Sequence, residues 1–293
     1  MDGLVQITSN EELQDIAYSG MKYICGFCEE HGLQYYLTGG TLLGAVRHQG
    51  WIPWDDDIDM GLPRKDYERL ISLTQEVDNQ DWKLESYEKN PRYMYYWAKL
   101  CHKHTVITPS RFGNGYTYGM SIDIFPIDAL DRDKSVDQQI REFSQKYRRI
   151  FLQGGYKTGR QIQAELDGSD GRTRKQKLIR PIAQILYPDP QTKLRELSDE
   201  MAANDWDEAE TVGYICLRAR TQLWPRRCFD RACTLPFEGR QFQVSADYDE
   251  LLTLQYGDYM TLPPADQQVS NHTYRAYRLP DSLTYEEYNE TQV

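Results

Sequence analysis

The sequence predicts an α/β (α+β) protein: a mixed sheet flanked by helices, with a helical insertion and a small C-terminal extension. Three observations lead there. Helix and strand patterns alternate through roughly the first 130 residues, as they do in a mixed α/β core. From about Ser135 to Asn204 the pattern is helical with one interruption, and beyond it short strands return with a further helix. The chain accordingly divides into a core over 1–134, a mainly helical region over 135–210, and a mixed α/β extension over 211–293 that completes the same compact unit.

In chain order, Ser9 or Asn10 ahead of Glu11 and Glu12 starts a helix that His31-Gly32 ends. Its apolar face carries Leu13, Ile16, Ala17, Ile24 and Phe27. Cys25 and Cys28 have the spacing of a redox pair, but a reactive pair opens a helix after a strand, so these read as packing residues. Leu33 to Thr38 is an aromatic-rich strand, Gly39-Gly40 a tight turn, and Thr41 to His48 a short helix closed by Gly50. An acidic strand follows, then an amphipathic helix over Arg64 to Val77 and strands in WKLESY, YMYYWAKL and GMSIDIFPID. The interruption of the helical region, GGYKTGRQIQAELDGSDGRTRKQK, is Gly-rich and basic with a helical piece; it reads as a solvated connection rather than a flap over an acceptor or lipid headgroup. Ala246 to Tyr256 is helical, and TYEEYNETQV is expected to fray.

Composition excludes several classes of function. A net charge of −11 and a pI near 5.0 leave no broad basic surface for nucleic acid. No stretch approaches the ~20 apolar residues of a membrane span, and MDGLVQITSNEELQ lacks the form of a signal peptide, so the chain reads as cytoplasmic. Six scattered cysteines suit reduced thiols. His102 and His104 share a strand face, but no third ligand stands at a recognisable spacing.

The segment GGTLLGAVRHQGWIPWDDDIDMG, residues 39–61, is where chemistry concentrates. Ile58, Met60 and Leu62 alternate with polar positions, the pattern of a strand with one buried face. Asp57 and Asp59 then project to the same side, joined by Asp55 if the strand starts early enough. Carboxylates so crowded raise one another's pKa, and a divalent cation relieves that cost; all-oxygen ligation suits Mg²⁺ or Mn²⁺. Gly39, Gly40 and Thr41 at a helix start expose backbone N–H groups suited to a phosphate. In Met120-Ser121-Ile122-Asp123-Ile124, the two isoleucines face one way and Asp123 the other, which makes Asp123 the third carboxylate, as metal ligand or as base. Lys99, a lone cation in YYWAKL, either neutralises a phosphate oxygen or makes a strand-face ion pair. Arg47 and His48 either bind phosphate or complement the end of their helix.

The glycine pair, the Asp-x-Asp strand and the later strand aspartate resemble the nucleotidyltransferase superfamily, and GGTLLGAVRHQGWIPWDDDIDMGLPRKDY resembles its LicD/fukutin family. The likeness continues in Trp97-Ala98-Lys99-Leu100, Ile122 to Asp128, Leu235 to Glu238, and Tyr256 to Met260 with Pro263, Pro264 and His272. It implies a nucleotidyltransferase-like sheet and a phosphotransferase. The donor would be CDP-choline or another CDP-alcohol, the co-product CMP, and the acceptor a surface glycan or teichoic-acid precursor, lipid-linked if transfer occurs at the inner membrane face. It also implies a role for His272 as an acceptor-binding or acid–base group. Choline would require ring faces around its quaternary ammonium; Tyr93, Tyr95, Tyr96 and Trp97 cluster beside Lys99, though most aromatics must be core. The rival readings are nucleotide addition to a small molecule or glycan, Asp-x-Asp glycosyl transfer, and a non-catalytic nucleotide-binding relative. Against the second, only residues 1–56 precede the motif.

Overall fold

The computed structural model describes residues 3–168, 189–215, 222–270 and 272–291. After β1 (Val5–Ile7), Ser9 caps α1 (Asn10–Glu30), its hydroxyl accepting from the Glu12 amide at 3.4 Å. Next come β2 (Tyr36–Leu37), α2 (Gly39–Arg47), β3 (Asp59–Pro63), α3 (Arg64–Ser72), α4 (Thr74–Val77), β4 (Trp82–Glu85), β5 (Ala98–His102), β6 (Thr105–Thr108) and β7 (Ser121–Ala129). The helical region supplies α5 (Val136–Gln153), α6 (Gly159–Leu166) and α7 (Pro190–Ala202). The remainder is β8 (Thr211–Gly213), β9 (Leu223–Pro225), β10 (Ala232–Phe237), β11 (Arg240–Ser245), α8 (Tyr248–Tyr256), β12 (Arg275–Arg278) and α9 (Tyr285–Thr291).

The main sheet has the order β2-β3-β7-β5-β4, extended by β8 on β7 and β9 on β8. Among the described strands only β3 and β7 run parallel, in a register that sets Asp59 against Asp123. On the other edge of β7, antiparallel β5 sets Lys99 against the same Asp123. Helix α1 lies on this sheet through Ile16, Ala17, Met21 and Ile24, all buried. It lies so close that a Cβ on Gly20 would stand 2.5 Å from Ile122 and 2.6 Å from Trp82, a position only glycine fits. At the far end of β3, Arg64 grips Asp128 through two bonds of 2.6 and 2.8 Å and donates to Ser198 of α7 at 3.1 Å. A second sheet, β1-β12-β6, pairs the start of the chain with its last strand. Among the described residues no helix is long and apolar enough to cross a membrane.

Several expectations need correction. The ladder of the acidic strand begins only at Asp59; Asp55, Asp56 and Asp57 lie in the loop before it, where Asp55 N bonds Ile52 O in a turn. The alternation nevertheless starts early, because Asp56, Ile58 and Met60 are buried while Asp55, Asp57 and Asp59 are partly exposed. The helix expected over Arg64 to Val77 breaks at Leu73, and the strand expected over Leu33 to Thr38 pairs only at Tyr36 and Leu37. Through Thr291 the tail does not fray, residues 292 and 293 lying outside the described residues: Tyr285 and Asn289, one turn apart on α9, are buried. Tyr285 donates to the buried Glu85 at 2.7 Å, and Asn289 bonds both backbone groups of Thr117 at 2.9 and 2.8 Å. A polar sequence thus docks because its polar groups satisfy buried partners. In the basic interruption α6 is the helical piece; residues 169–177 fall outside the described residues.

Candidate active site

The segment of residues 38–41 and the loop of residues 55–59 meet because glycine lets them. Gly39 has φ +57°, and a Cβ there would stand 2.8 Å from Asp59 Oδ2; a Cβ on Gly40 would stand 2.6 Å from Asp55 Oδ2. Thr41 ties the two segments together, its hydroxyl accepting from the Asp59 amide at 2.9 Å, while Thr38 N bonds Asp59 O at 3.2 Å. The expected phosphate cradle is therefore also the surface on which two carboxylates rest. Asp55 is pushed up to about 7, first by desolvation and then by Asp57. Asp59 is driven well above the usual carboxylate range by desolvation and then by Asp57, Asp123 and Asp55.

Asp123 adjoins this cluster through its register with Asp59, and its two oxygens are engaged. Lys99 Nζ donates to Oδ1 and Trp97 Nε1 to Oδ2 at 3.0 Å. Lys99 therefore makes a strand-face ion pair, with its ammonium over the Tyr95 ring at 5.1 Å. Arg47 and His48 end α2, where Arg47 donates to Tyr259 O at 2.9 Å and to His48 Nε2 at 3.0 Å. Burial lowers the pKa of both, and for His48 the neighbouring Arg47 adds to it. Arg47 fastens the chain after α8 to α2, and the last residue of α8, Tyr256, 42% exposed, lies within the field of Asp59, Asp55 and Asp57.

Sequence reasoning missed the buried neighbour, Asp56. It accepts from Ser270 Oγ at 3.1 Å, from His272 Nδ1 at 2.5 Å and from Tyr274 Oη at 2.6 Å. Burial alone would raise its pKa, but His272, Tyr274 and Ser270 together hold it below the usual value. His272 turns its other nitrogen to Asp57 Oδ2 at 3.2 Å. Against desolvation, which lowers it, the Asp56 and Asp57 carboxylates push the imidazole up to about 11. Asp55, Asp57 and His272 present ligand atoms within 4.8 Å of one another; Asp59 and Asp123 lie outside that group.

Other candidates resolve into packing. Cys25 and Cys28 are buried in α1, with desolvation pushing Cys28 up to about 12. His102 stands edge-on to Trp82 and is pulled down to about 4 by desolvation and then by His104. Tyr93, Tyr95, Tyr96 and Trp97 are all buried among other rings.

The chain is similar to known proteins. The family described as LicD/FKTN/FKRP, nucleotidyltransferase domain, matches residues 32–152, a span that holds Gly39, Asp57 and Asp123. The lipopolysaccharide cholinephosphotransferase LicD of Haemophilus influenzae is 30% identical over 269 residues, covering 92% of this chain and 97% of that protein. The human ribitol 5-phosphate transferase FKRP is 31% identical over 99 residues, 32% of this chain and 20% of that protein.

Proposed function

The chain belongs to the LicD/FKTN/FKRP family, and on that footing we propose that it transfers a phospho-alcohol, phosphocholine first among the candidates. The donor is a CDP-activated alcohol, the acceptor a hydroxyl of a surface glycan or its precursor, and the co-product CMP. The observation that carries this reading is the closure of Asp55 and Asp59 on the Gly39-Gly40 backbone at the start of α2, which puts carboxylates beside a phosphate-binding helix end.

The residues present fit a divalent cation, Mg²⁺ or Mn²⁺. Carboxylates are hard donors, and the pKa values of Asp55 and Asp59 are raised first by desolvation and then by neighbouring carboxylates, both of which a bound cation offsets. Asp55 and Asp57, with Asp59 beside them, would hold it, and when bound it would neutralise the donor's diphosphate. The first turn of α2 offers its amides and positive dipole end to a phosphate. As the acceptor oxygen bonds to the phosphorus carrying the alcohol, the bond from that phosphorus to the oxygen of CMP breaks, and Asp123 takes the hydroxyl proton. Lys99 and Trp97 fix Asp123 for that role. A quaternary ammonium would meet the ring face of Tyr256, which is exposed and within the field of the acids, whereas Trp54 is partly buried and packs against the core.

The test is to supply labelled CDP-choline, CDP-ethanolamine, CDP-glycerol and CDP-ribitol with a carbohydrate acceptor and weigh the product. Free CMP with an acceptor heavier by one phospho-alcohol is expected. An acceptor heavier by a nucleotide monophosphate, with pyrophosphate released, would refute the reading.

A further inference from the structure

Asp56 stands out among the acids of the loop at residues 55–59, because it alone of them is buried, only 6% exposed. Its oxygens are nonetheless fully engaged, by three side chains from one five-residue stretch, Ser270, His272 and Tyr274. That stretch runs directly into β12, which is held on both sides by β1 and β6. A buried carboxylate that fixes one nitrogen of an imidazole leaves the other nitrogen with a set direction. Here Nε2 points to Asp57 Oδ2 at 3.2 Å, into the group where Asp55, Asp57 and His272 have their donor atoms within 4.8 Å of one another. Two ligands on one ion are at most ~4.2 Å apart when each bond is ~2.1 Å, so the group needs little contraction to enclose a cation.

We propose that His272 is a nitrogen ligand of the divalent cation, alongside Asp55 and Asp57, and that Asp56 is the positioning residue that orients the ring. The inference rests on the metal-dependent reading above and deepens it. Metal-bound imidazoles characteristically donate their second N–H to a carboxylate, which fixes the tautomer and the ring plane. One imidazole among carboxylates also changes which ion the site prefers. Mg²⁺ favours an all-oxygen octahedron, whereas Mn²⁺ and the later divalent ions accept nitrogen. The site is therefore biased towards Mn²⁺ relative to the all-oxygen cluster that the acids alone suggest.

The experiment uses the whole chain and Mn²⁺ or Mg²⁺ alone, with no nucleotide. Pulsed electron paramagnetic resonance of the Mn²⁺ form should show coupling to one imidazole ¹⁴N, and His272→Ala should abolish it. Calorimetric titration should show Mn²⁺ affinity about 10- to 100-fold weaker in Asp56→Asn, and the preference for Mn²⁺ over Mg²⁺ narrowed in His272→Ala. Circular dichroism confirms that each variant is folded. The wild-type spectrum needs no variant: absence of nitrogen coupling, or no saturable Mn²⁺ binding below the millimolar range, overturns the assignment. Unchanged Mn²⁺ affinity in folded His272→Ala also overturns it. Nitrogen coupling in a protein that transfers no phospho-alcohol from any CDP donor would refute the proposed function and leave the ligand assignment standing.

Discussion

Gly40→Ala separates folding from function at the site. In α2 an alanine is the better helix former, by about 1 kcal/mol over glycine, and Gly40 needs no left-handed backbone. The new Cβ, however, would stand 2.6 Å from Asp55 Oδ2, roughly 0.8 Å inside ordinary contact. The clashing atom is the end of a side chain that can rotate, so the fold yields cheaply and Asp55 moves. A displacement of about 1 Å in a catalytic arrangement costs on the order of 100-fold in rate. The expected variant therefore melts within a few degrees of the wild type but releases CMP at least about tenfold more slowly. Gly39→Ala is the control, since φ +57° adds backbone strain of about 1–2 kcal/mol and should lower stability as well. Melting temperature by calorimetry and CMP release on the same samples decide the matter. A Gly40→Ala enzyme with full turnover would refute the reasoning, because Asp55 would then have no need of its place against α2.

Without a divalent cation, stability should fall as pH rises from about 4 to about 7: Asp55, raised in the fold to about 7, keeps a proton that the unfolded chain has lost. His272, raised to about 11, acts in the same sense above the ordinary histidine range, its contribution being complete below it and lost as pH rises through the folded value. A pH series of urea titrations with and without Mn²⁺ should show the slope between 4 and 7 diminished in Asp55→Asn and in the metal-bound protein. Lys99→Met should cost both turnover and stability, about 1–3 kcal/mol, since Asp123 would retain only Trp97 as donor; CMP release and urea midpoints read the two. Arg64→Met should cost about 3–5 kcal/mol by stranding the buried Asp128, yet leave the KM for the donor unchanged because the pair lies at the other end of β3.

What was legible in the sequence was local. Helix α1 follows from its cap and apolar spacing, and the turn at Gly39 and the acid alternation can be read within residues 39–62. Asp123 was recoverable because the apolar neighbours Ile122 and Ile124 fix which way it faces. The Lys99 to Asp123 pair was not, since it depends on the register of β5 on β7. Asp56 looked like one more acid in a run; only its buried side, matched by partners 214 to 218 residues away, sets it apart. Resemblance alone pointed to His272. The docked tail was hidden for the opposite reason, because TYEEYNETQV is mostly polar and the buried groups it satisfies, Glu85 and Thr117, belong to distant segments.

The pairing of β12 with β1 has a consequence for how the protein comes into being. His272 reaches Asp56 across 216 positions of chain, and the strand it leads into must slot between the first and sixth strands. During synthesis the acids of residues 55–59 emerge long before the histidine that faces them. A nascent chain thus carries an acidic cluster with its last side uncovered, and the cluster is completed only when residues 270–274 have emerged. A ribosome that stalls after the helical region would release a product with the sequence motif but without the histidine side of the site.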